Sequence, residues 1–513
     1  MTATPDVTVV LAVYDTMPYL TECLDSLLAQ TIGHERLEVV AVDDGSTDGS
    51  GEELDRYAAA HPDVVRVVHQ ENSGGPAGPN NVALGLARGR WVHFVGADDY
   101  LGPEALERMV AHGDAHGADV VIGRMEGMGG RYVPQALYGR DHVDVDPFGP
   151  HLRWTVANSK MFRRAHVEDL GLRYREDMRI GSDQPFTIRA CLAARRIAVV
   201  GTYPCYYAVR REDRSNVTYS VDVVTRAQAT EKMMAAVAEV MPSPEQRDHY
   251  LVRHFTWEVQ RLLPADQLAG WTAEQREQGC AAVGGLVERW YTPAIDAALG
   301  VRPRVRLRLA AAGEVEEVLA LDAVEAAGGP RVLLEDDGAF LGYPAFRTAA
   351  AARAGLTDDD FALTPVATAK RVRDGLAVGE VAWSGDLLTA DVRLPALAPP
   401  AHEHLSAWLR PAGKESDDRA QRLPGTVGPA PDQAAADTDW VRLVVPRGEA
   451  EPEGWRLFLG GRSVTGGWEV RVPLPTPRDT GTAGSQGSSA TPGGREILGR
   501  LARRLTGRHP DGR

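Results

Sequence analysis

The sequence is poor in the features that would place a protein outside the cell or inside a membrane. It has four cysteines in 513 residues, at positions 23, 191, 205 and 280, and their spacing matches neither a disulfide framework nor a metal site. The first apolar run, Val7 to Val13, lacks a basic flank and a cleavage site, so we expect no signal peptide. No apolar run is long enough to cross a bilayer. We therefore expect a cytoplasmic protein in a reducing compartment.

The sequence also has fewer basic than acidic residues. Lysine and arginine total 56 against 71 aspartates and glutamates, which gives a formal net charge of −15. An acidic chain of this kind is not a general binder of polyanions, and we expect no nucleic-acid partner. The length exceeds that of one ordinary domain and the hydrophobic fraction is 43%, so we expect about two to four domains with real cores.

What the chain does contain is a series of apolar strands that end in acidic turns. The runs and their turns are Val7 to Val13 with Tyr14-Asp15, Leu37 to Val42 with Asp43-Asp44, and Trp91 to Val95 with Asp98-Asp99. Strands that alternate with helical patterns at this spacing predict a doubly wound α/β sheet. Ligands of such sheets bind beyond the carboxyl ends of the strands. We therefore expect the three turns to converge on one crevice.

The adjacent carboxylates Asp98 and Asp99 need positive charge between them, because two neighbouring carboxylates repel each other when both are ionised. A hard divalent cation, Mn²⁺ or Mg²⁺, meets this need and brings phosphates with it. The alternative is a solvated turn whose aspartate caps the following helix. The acidic turns at the neighbouring strand ends favour the cation.

These motifs, in this order, resemble the inverting nucleotide-sugar glycosyltransferases of the GT-A fold, glycosyltransferase family 2. The matching residues are Val13-Tyr14-Asp15, Asp43 to Asp48, Asn72 to Pro76, Asn80-Asn81 and Ala97 to Tyr100. The resemblance implies that Asp44 accepts the uracil N3–H, that Tyr14 packs on the base, and that Asp98 and Asp99 hold the metal and the diphosphate. It also implies nucleotide contacts for Val13, Asp15, Asn72, Gly74 and Asn80. Many relatives carry an acid where this chain has Gly96, which leaves open whether Asp98 or Asp99 is the direct metal ligand.

The acceptor half follows the same resemblance. Asn158 to Arg164 looks like the segment that relatives place beside the sugar. Relatives then have an acidic residue followed by the aspartate that acts as general base, and this chain has Ser182-Asp183, so the base role carries over to Asp183. From the residues alone, a helix N-cap is the alternative, and both roles can hold if Ser182 is the cap. One base on the face opposite the leaving group gives inversion.

Two arginines, Arg210 and Arg211, follow the apolar run Tyr206 to Val209. Guanidinium groups bind phosphate bidentately, so the pair suits a diphosphate or an anionic acceptor. A solvated charged loop is the alternative. The pattern from Arg211 to Thr218 resembles the teichoic-acid glycosyltransferases that decorate poly(ribitol phosphate), which favours a functional role for the arginines.

The sequence pattern of the rest of the chain changes twice, first to helices and then to strands. Residues 223–328 have helical spacing, and their apolar stripes are typical of a core rather than of a cofactor site. Residues 329–475 contain short strands separated by turn signals, which predict an antiparallel β-sandwich without acid pairs or histidine clusters. The resemblance implies that this domain assembles trimers, and a carbohydrate-binding module is the rival interpretation.

The tail, residues 476–513, begins with a flexible linker. Arg495 to Leu505 then resumes helical spacing with arginines opposite an apolar face. Such a helix binds anionic lipid peripherally, which would place the enzyme at the inner face of the cell membrane. A disordered, solvated tail is the alternative.

Together these observations define a GT-A catalytic domain at residues 1–222, a helical segment, a β-sandwich and a tail. They predict a metal-dependent, inverting enzyme that moves a hexose or N-acetylhexosamine from a UDP-sugar to a hydroxyl of a teichoic-acid-like surface glycopolymer. Capsular polysaccharide, exopolysaccharide and lipid-linked oligosaccharide are alternative acceptors. A non-catalytic glycan-binding scaffold is the alternative from another class, and the retention of Asp183 with Asp98-Asp99 argues against it.

Overall fold

The computed structural model describes residues 4–211, 222–384, 387–398, 401–411, 423–429, 439–446, 455–463 and 466–473. The chain groups into two compact units. The first comprises Met1–Pro330 and Leu341–Ala362, and the second comprises Arg331–Phe340 and Leu363–Arg513. All of the acidic turns that the sequence points to belong to the first unit.

The first unit is built on a mixed sheet. Its strands, β1–β8, are Val7–Val13, Leu37–Asp43, Val65–His69, Trp91–Gly96, Tyr100–Leu101, Val120–Met128, Met161–Arg163 and Ile197–Val209. The helices among them, α1–α6, are Tyr19–Leu28, Ser50–Ala60, Ala77–Leu86, Ala105–Ala115, Arg164–Asp169 and Asp183–Ala193. The strand order is β3-β2-β1-β4-β7-β6-β8-β5; β1 is parallel to β2 and β4, whereas β7 and β5 are antiparallel to their neighbours. The predicted α/β sheet is confirmed.

Both faces of the central strands are buried, which explains their continuous apolar character. Val9 and Leu11 of β1 pack in one core with Leu24 of α1. Val10, between them, packs in a second core with Phe94 of β4. Because successive side chains of a strand point to opposite faces and both faces are covered, the ends of the strands are where a ligand can reach the sheet.

Helices continue the first unit beyond the sheet. They are α7–α14, at Val223–Val240, Pro244–Thr256, Ala273–Trp290, Pro293–Ala298, Val301–Ala311, Val315–Ala326, Ala349–Arg353 and Asp358–Phe361. The Asp222 carboxylate caps α7 by accepting from the N–H groups of Val224 and Thr225, and Thr272 forms a capping box with Gln275 on α9. The stripes predicted as core are buried, at Phe255, Val259, Leu262, Leu263, Cys280, Val283 and Leu286.

A buried ion pair joins two of these helices. Arg306 of α11 donates to Asp322 of α12 over 2.8 and 2.7 Å, and its remaining donors reach Gln260 Oε1 and the Leu263 carbonyl. We expect Arg306→Met to lower the free energy of unfolding by about 3–5 kcal/mol, because it leaves the Asp322 carboxylate buried without its cation. Urea denaturation of the full chain measures the change.

Arg302 on the same helix is the matched control for this prediction. It faces Glu325 at 3.6 Å and is about half exposed. Arg302→Met should cost less than about 1 kcal/mol, because exposed ion pairs contribute little. Equal losses in the two variants would show that burial does not set the strength of the Arg306 pair.

The second unit is a β-domain with a helix, α15, at Pro365–Gly375. Its strands, β9–β17, are Val332–Glu335, Gly338–Leu341, Ala377–Ser384, Leu387–Arg393, Ser406–Pro411, Leu423–Pro429, Trp440–Pro446, Trp455–Ser463 and Gly466–Val472. From β11 onward they pair antiparallel in the order β11-β12-β15-β14-β13-β16-β17. β14 pairs with β13 up to Gly425 and with β15 from Thr426 onward, so one strand joins two sheets. The predicted antiparallel β-domain is confirmed.

The described ranges contain no helix that is both long and apolar enough to span a membrane. The basic helix predicted at Arg495 to Leu505 lies outside the described residues, so its contact with lipid stays a prediction. The trimer and the domain boundaries at residues 222, 328 and 475 stay predictions as well.

Candidate active site

The acidic turns meet at one edge of the sheet. Val13 of β1 is in register with Asp43 of β2, and the neighbouring Ala12 is in register with Gly96 of β4, so the three strands end side by side. The Asp15 carboxylate, in the turn after β1, accepts from the backbone N–H of Thr47 at 2.8 Å. The predicted convergence of the turns is confirmed.

Arg211, two residues after β8, links these turns. Its Nε donates to Asp98 Oδ2 at 2.8 Å, and its Nη1 donates to the carbonyl of Asp15 at 3.2 Å. The guanidinium group also lies 5.9 Å from the centre of the Tyr19 ring. A cation therefore stands between the β1 turn and the β4 turn, where a diphosphate would need positive charge.

The turn after β2 is held by the loop that follows β3. Both oxygens of the buried Asp44 accept hydrogen bonds, from Gln70 Nε2 at 2.6 Å and from the backbone N–H and hydroxyl of Ser73 at 3.1 and 2.9 Å. Asn72 accepts from the N–H of Gly74 at 2.7 Å, and Gly74 has a positive φ of 86°, which favours glycine. Asp44 thus fixes the loop that carries Asn72 and Gly74 beside the crevice.

The remaining residues predicted to contact the nucleotide surround this crevice. Val13 is buried at the end of β1, whereas the next residue, Tyr14, is 46% exposed. Asn80 is buried in the first turn of α3, behind the Asn72 loop. An exposed aromatic face beside a buried carboxylate is suited to stack on and pair with a planar base.

The two adjacent carboxylates differ in their surroundings. Asp99 is buried and accepts from the Tyr206 hydroxyl at 2.6 Å and from the backbone N–H of Val209 at 2.7 Å. Burial, followed by the charge of Asp98, raises the pKa of Asp99 to about 6. Asp98 faces Arg211 in the crevice instead. Asp99 therefore bonds the turn after β4 to β8, with Arg131 Nη1 3.5 Å from its Oδ1, whereas Asp98 bonds to Arg211 on the crevice side.

Gly96 leaves room for both carboxylates. A Cβ atom at this position would lie 2.8 Å from Asp99 Oδ2 and 3.2 Å from Asp98 Oδ1. The described residues contain no group of three histidine, cysteine, aspartate or glutamate side chains that could hold a metal ion. Magnesium-type sites often rest on one or two carboxylates and complete their shell with substrate phosphates and water, and Asp98 fits such a site.

A second cleft, of about 580 Å³, contains Asp183. Asp183 is the first residue of α6, and the preceding Ser182 makes no side-chain capping bond. Burial raises the pKa of Asp183, and the charges of Arg253 and Lys160 partly offset this rise. A carboxylate with a raised pKa is a stronger base, so its surroundings suit proton abstraction.

Helix α8 and the turn after it contribute side chains to this cleft that the sequence analysis did not identify. Arg253 pairs with Glu258, and Gln184, next to Asp183, lies 3.4 Å from Glu258 Oε1. Gln184 Oε1, Arg253 Nε and Glu258 Oε2 are buried and have no hydrogen-bond partner among the described residues. Burial tends to raise the pKa of Glu258, but Arg253 and other cations bring it below its usual value. A hydroxyl-bearing ligand would satisfy these polar atoms.

Aromatic rings line the same cleft. Trp257 lies 5.1 Å from Trp154 and 6.4 Å from the exposed Tyr132, measured between ring centres. Arg210 also lines this cleft, whereas its neighbour Arg211 bonds to Asp98 in the crevice at the strand ends. In the sequence, these polar residues and Trp257 alternate with core positions such as Phe255 and Val259. The polar face of this helical pattern is the sequence feature that could have identified them.

Comparisons with known proteins agree with this geometry. Residues 8–176 match the model for glycosyl transferase family 2, and residues 226–322 match the model for the glycosyl transferase TarS linker domain. A poly(ribitol-phosphate) beta-glucosyltransferase of Bacillus spizizenii is 34% identical over 206 residues, which are 40% of this chain and 32% of that protein. The poly(ribitol-phosphate) beta-N-acetylglucosaminyltransferase TarS of Staphylococcus aureus is 33% identical over 256 residues, 48% of this chain and 44% of that protein. The chain thus spans less than half the length of either relative.

Solved structures are similar over longer ranges. The crystal structure of S. aureus TarS 1–349 in complex with UDP-GlcNAc has a TM-score of 0.55 and 27% identity, and the match covers 66% of this chain and 96% of that one. The crystal structure of S. aureus TarS has a TM-score of 0.60 and covers 91% of this chain and 77% of that one. Its identity is 22%, so it supports the fold alone.

Proposed function

We propose that this chain acts as a family 2 glycosyltransferase, whose model residues 8–176 match, and moves a hexose or N-acetylhexosamine from a UDP-sugar to a hydroxyl of a surface glycopolymer. The observation that carries this proposal is the placement of two adjacent arginines. Arg211 bonds to Asp98 in the nucleotide crevice, and Arg210 lines the cleft that contains Asp183. Because Arg210 and Arg211 are neighbours in the chain, the proposed diphosphate site and the candidate base lie close together. Direct transfer of the sugar from donor to acceptor requires this proximity.

The nucleotide half recognises uridine through Asp44 and Tyr14 in this proposal. A carboxylate has about four acceptor positions, so Asp44 can accept a uracil N3–H in addition to its bonds with Gln70 and Ser73. Tyr14, which is exposed, packs on the base. The UDP-GlcNAc complex of the related TarS fragment supports a uridine nucleotide as donor.

Asp98 is the residue that would hold a divalent cation, Mn²⁺ or Mg²⁺. It faces the crevice beside Arg211, whereas Asp99 is occupied by Tyr206 and Val209. The cation would neutralise charge on the departing diphosphate. Arg211, released from Asp98 as the diphosphate binds, supplies a second positive charge to it.

The acceptor half supplies the base and the binding surface. Asp183 takes the proton of the acceptor hydroxyl as that oxygen attacks the anomeric carbon, and attack opposite the leaving group inverts the configuration. Trp154 and Trp257 offer apolar faces to the acceptor unit, and Arg210 offers a cation to its anionic groups. The names of the curated relatives support an acceptor of the poly(ribitol-phosphate) type.

A panel of UDP-sugars tests the proposal. We expect slow release of UDP from one of them, UDP-glucose or UDP-N-acetylglucosamine, in the presence of Mn²⁺. Chelation should abolish the release, and restoring the cation should recover it, because Arg211 alone does not neutralise the charge that develops on the departing diphosphate. Binding of UDP without turnover of any sugar nucleotide would instead support a binding module on the same fold.

A further inference from the structure

A further cleft, of about 850 Å³, opens among the helices that follow the sheet. Its walls come from the start of α7, the end of α8 with the turn after it, and the first turns of α9 and α11. We call it the arginine cleft, because its described lining contains five arginines and two aspartates although the whole chain has a net charge of −15. Its volume is typical of small-molecule sites. Cations concentrated in one cleft of an acidic chain favour an anionic ligand.

The walls of the arginine cleft are tied together by hydrogen bonds. Gln260 accepts from Arg306 Nη1 at 3.0 Å and donates to the Pro303 carbonyl at 3.1 Å, which joins the turn after α8 to α11. Arg306 Nη2 donates to the Leu263 carbonyl at 2.5 Å and strengthens the same joint. The cleft is therefore preformed, as ligand sites usually are.

The arginine cleft adjoins the cleft that contains Asp183. Four residues line both of them, namely Arg210, Arg226, Trp257 and Arg261. These residues come from separate segments of the chain. Arg210 follows β8, Arg226 lies in the first turn of α7, and the N–H of Arg261 bonds to the Trp257 carbonyl at 3.2 Å in the turn after α8. Three arginines and one aromatic ring thus mark the place where the two clefts meet.

The five arginines of the arginine cleft divide into two groups. Arg306 bonds to the buried Asp322 at 2.7 Å, and Arg302 lies 3.6 Å from Glu325, so each of these two faces a carboxylate. The other three are the arginines that both clefts share. A ligand that extends from one cleft into the other meets all three of them. Guanidinium groups bind phosphate bidentately, so this passage suits a chain that carries phosphates.

We propose that the arginine cleft binds the phosphodiester-linked units of the acceptor that neighbour the unit at Asp183. The inference deepens the proposed function and rests on it, because the acceptor must be a chain of such units. A chain with one unit at Asp183 carries its next phosphate out of that cleft, and the shared arginines compensate this charge. Trp257, whose ring centre lies 5.1 Å from that of Trp154, offers an apolar face to the polyol between two phosphates. The helical segment thereby selects a polymer over a single unit.

The preference for a long acceptor over a short one tests this inference. A single ribitol phosphate unit and an octamer of it serve as acceptors for one UDP-sugar, and the ratio of their kcat/KM values is measured. We expect the wild type to favour the octamer by about tenfold or more, mainly through a lower KM, because one charge-assisted contact is worth about tenfold. Added salt should reduce the ratio, since it screens these contacts. The ratio does not depend on the fraction of folded enzyme, because both acceptors meet the same preparation.

Arg261→Gln removes one of the shared cations. It should lower the ratio by about threefold to tenfold, and the exposed position of Arg261 makes a loss of folding a small effect. Arg289 of α9 provides the matched control, because it is 66% exposed, pairs with Glu231 and lies outside the described lining of both clefts. Arg289→Gln should keep the wild-type ratio.

Two failures can be told apart. A ratio near one in the wild type, or a ratio that Arg261→Gln leaves unchanged, would overturn the inference while sugar transfer itself continued. A loss of UDP affinity in Arg261→Gln without a change in the ratio would assign this arginine to the donor and also overturn it. If neither acceptor received sugar although the enzyme turned over its UDP-sugar, the proposed acceptor class would be wrong, and the inference would fall with it.

Discussion

Replacing Asp183 with asparagine should reduce the rate of sugar transfer by about 10²–10⁴-fold, the usual contribution of a general base. Asparagine keeps the size of the side chain and its place at the start of α6, but it cannot take the proton of the acceptor hydroxyl. The affinity for UDP should not change, because the proposed uridine and diphosphate contacts lie on the β1, β2 and β4 turns and at Arg211, and none of them is Asp183. Initial rates with a saturating UDP-sugar, together with UDP binding by calorimetry, measure both quantities.

Asp177 is the matched control for this prediction. It lies six residues before Asp183, is about half exposed and pairs with Arg175 at 3.1 Å. Asp177→Asn should leave transfer within about twofold of the wild type, because an exposed ion pair contributes little. If Asp183→Asn kept its activity, the base would have to be sought elsewhere in the cleft, with Glu258 as the first candidate.

The nucleotide half could be predicted from the sequence because its signals are local. β1, β2 and β4 are short apolar runs, and each acidic turn follows its own strand directly. Parallel strands end at one edge, so the meeting of Asp15, Asp44 and Asp98 followed from chain order. Pairing of β7 and β5 against the parallel strands could not be predicted in this way, because it depends on tertiary packing.

The cleft that contains Asp183 was harder to predict from the sequence. Arg253, Trp257 and Glu258 belong to a helical segment. Its apolar stripe can be recognised in the sequence, but the sequence does not show that its polar face lines the cleft with Asp183. The side chain of Lys160 gave no signal either, because a buried lysine and an exposed one look alike in a sequence. Such residues are found only when elements distant in the chain are placed together.

The same limit applied to the adjacent carboxylates. The sequence could not distinguish Asp98 from Asp99, since both are aspartates at the end of one strand. What distinguishes them is Tyr206, whose hydroxyl bonds to Asp99 across 107 positions of sequence. In the turn after β4, Asp98 bonds to Arg211 in the crevice, whereas Asp99 bonds to Tyr206 and Val209 of β8.

This difference predicts different consequences for two single-atom changes. Asp98→Asn should lower the rate of sugar transfer by about 10²–10³-fold and raise the concentration of Mn²⁺ needed for half activity, because it removes the carboxylate on the ligand side of the crevice. The variant should also lose some stability, because Asp98 pairs with the largely buried Arg211, so the transfer rate is measured on the folded protein. Transfer rates across a Mn²⁺ titration, compared with urea denaturation, measure the two effects.

Asp99→Asn is the companion variant, and it should act mainly on stability. An asparagine cannot accept with both side-chain atoms from the Tyr206 hydroxyl and the Val209 N–H, so a buried group loses its partner at a cost of about 1–3 kcal/mol. The Mn²⁺ requirement of the folded variant should match that of the wild type. If the metal requirement rose in Asp99→Asn and not in Asp98→Asn, Asp99 would be the ligand. Binding of the metal and the UDP-sugar would then have to break the hydrogen bond between Asp99 and the Tyr206 hydroxyl. β8, which carries Tyr206, would move whenever the donor binds.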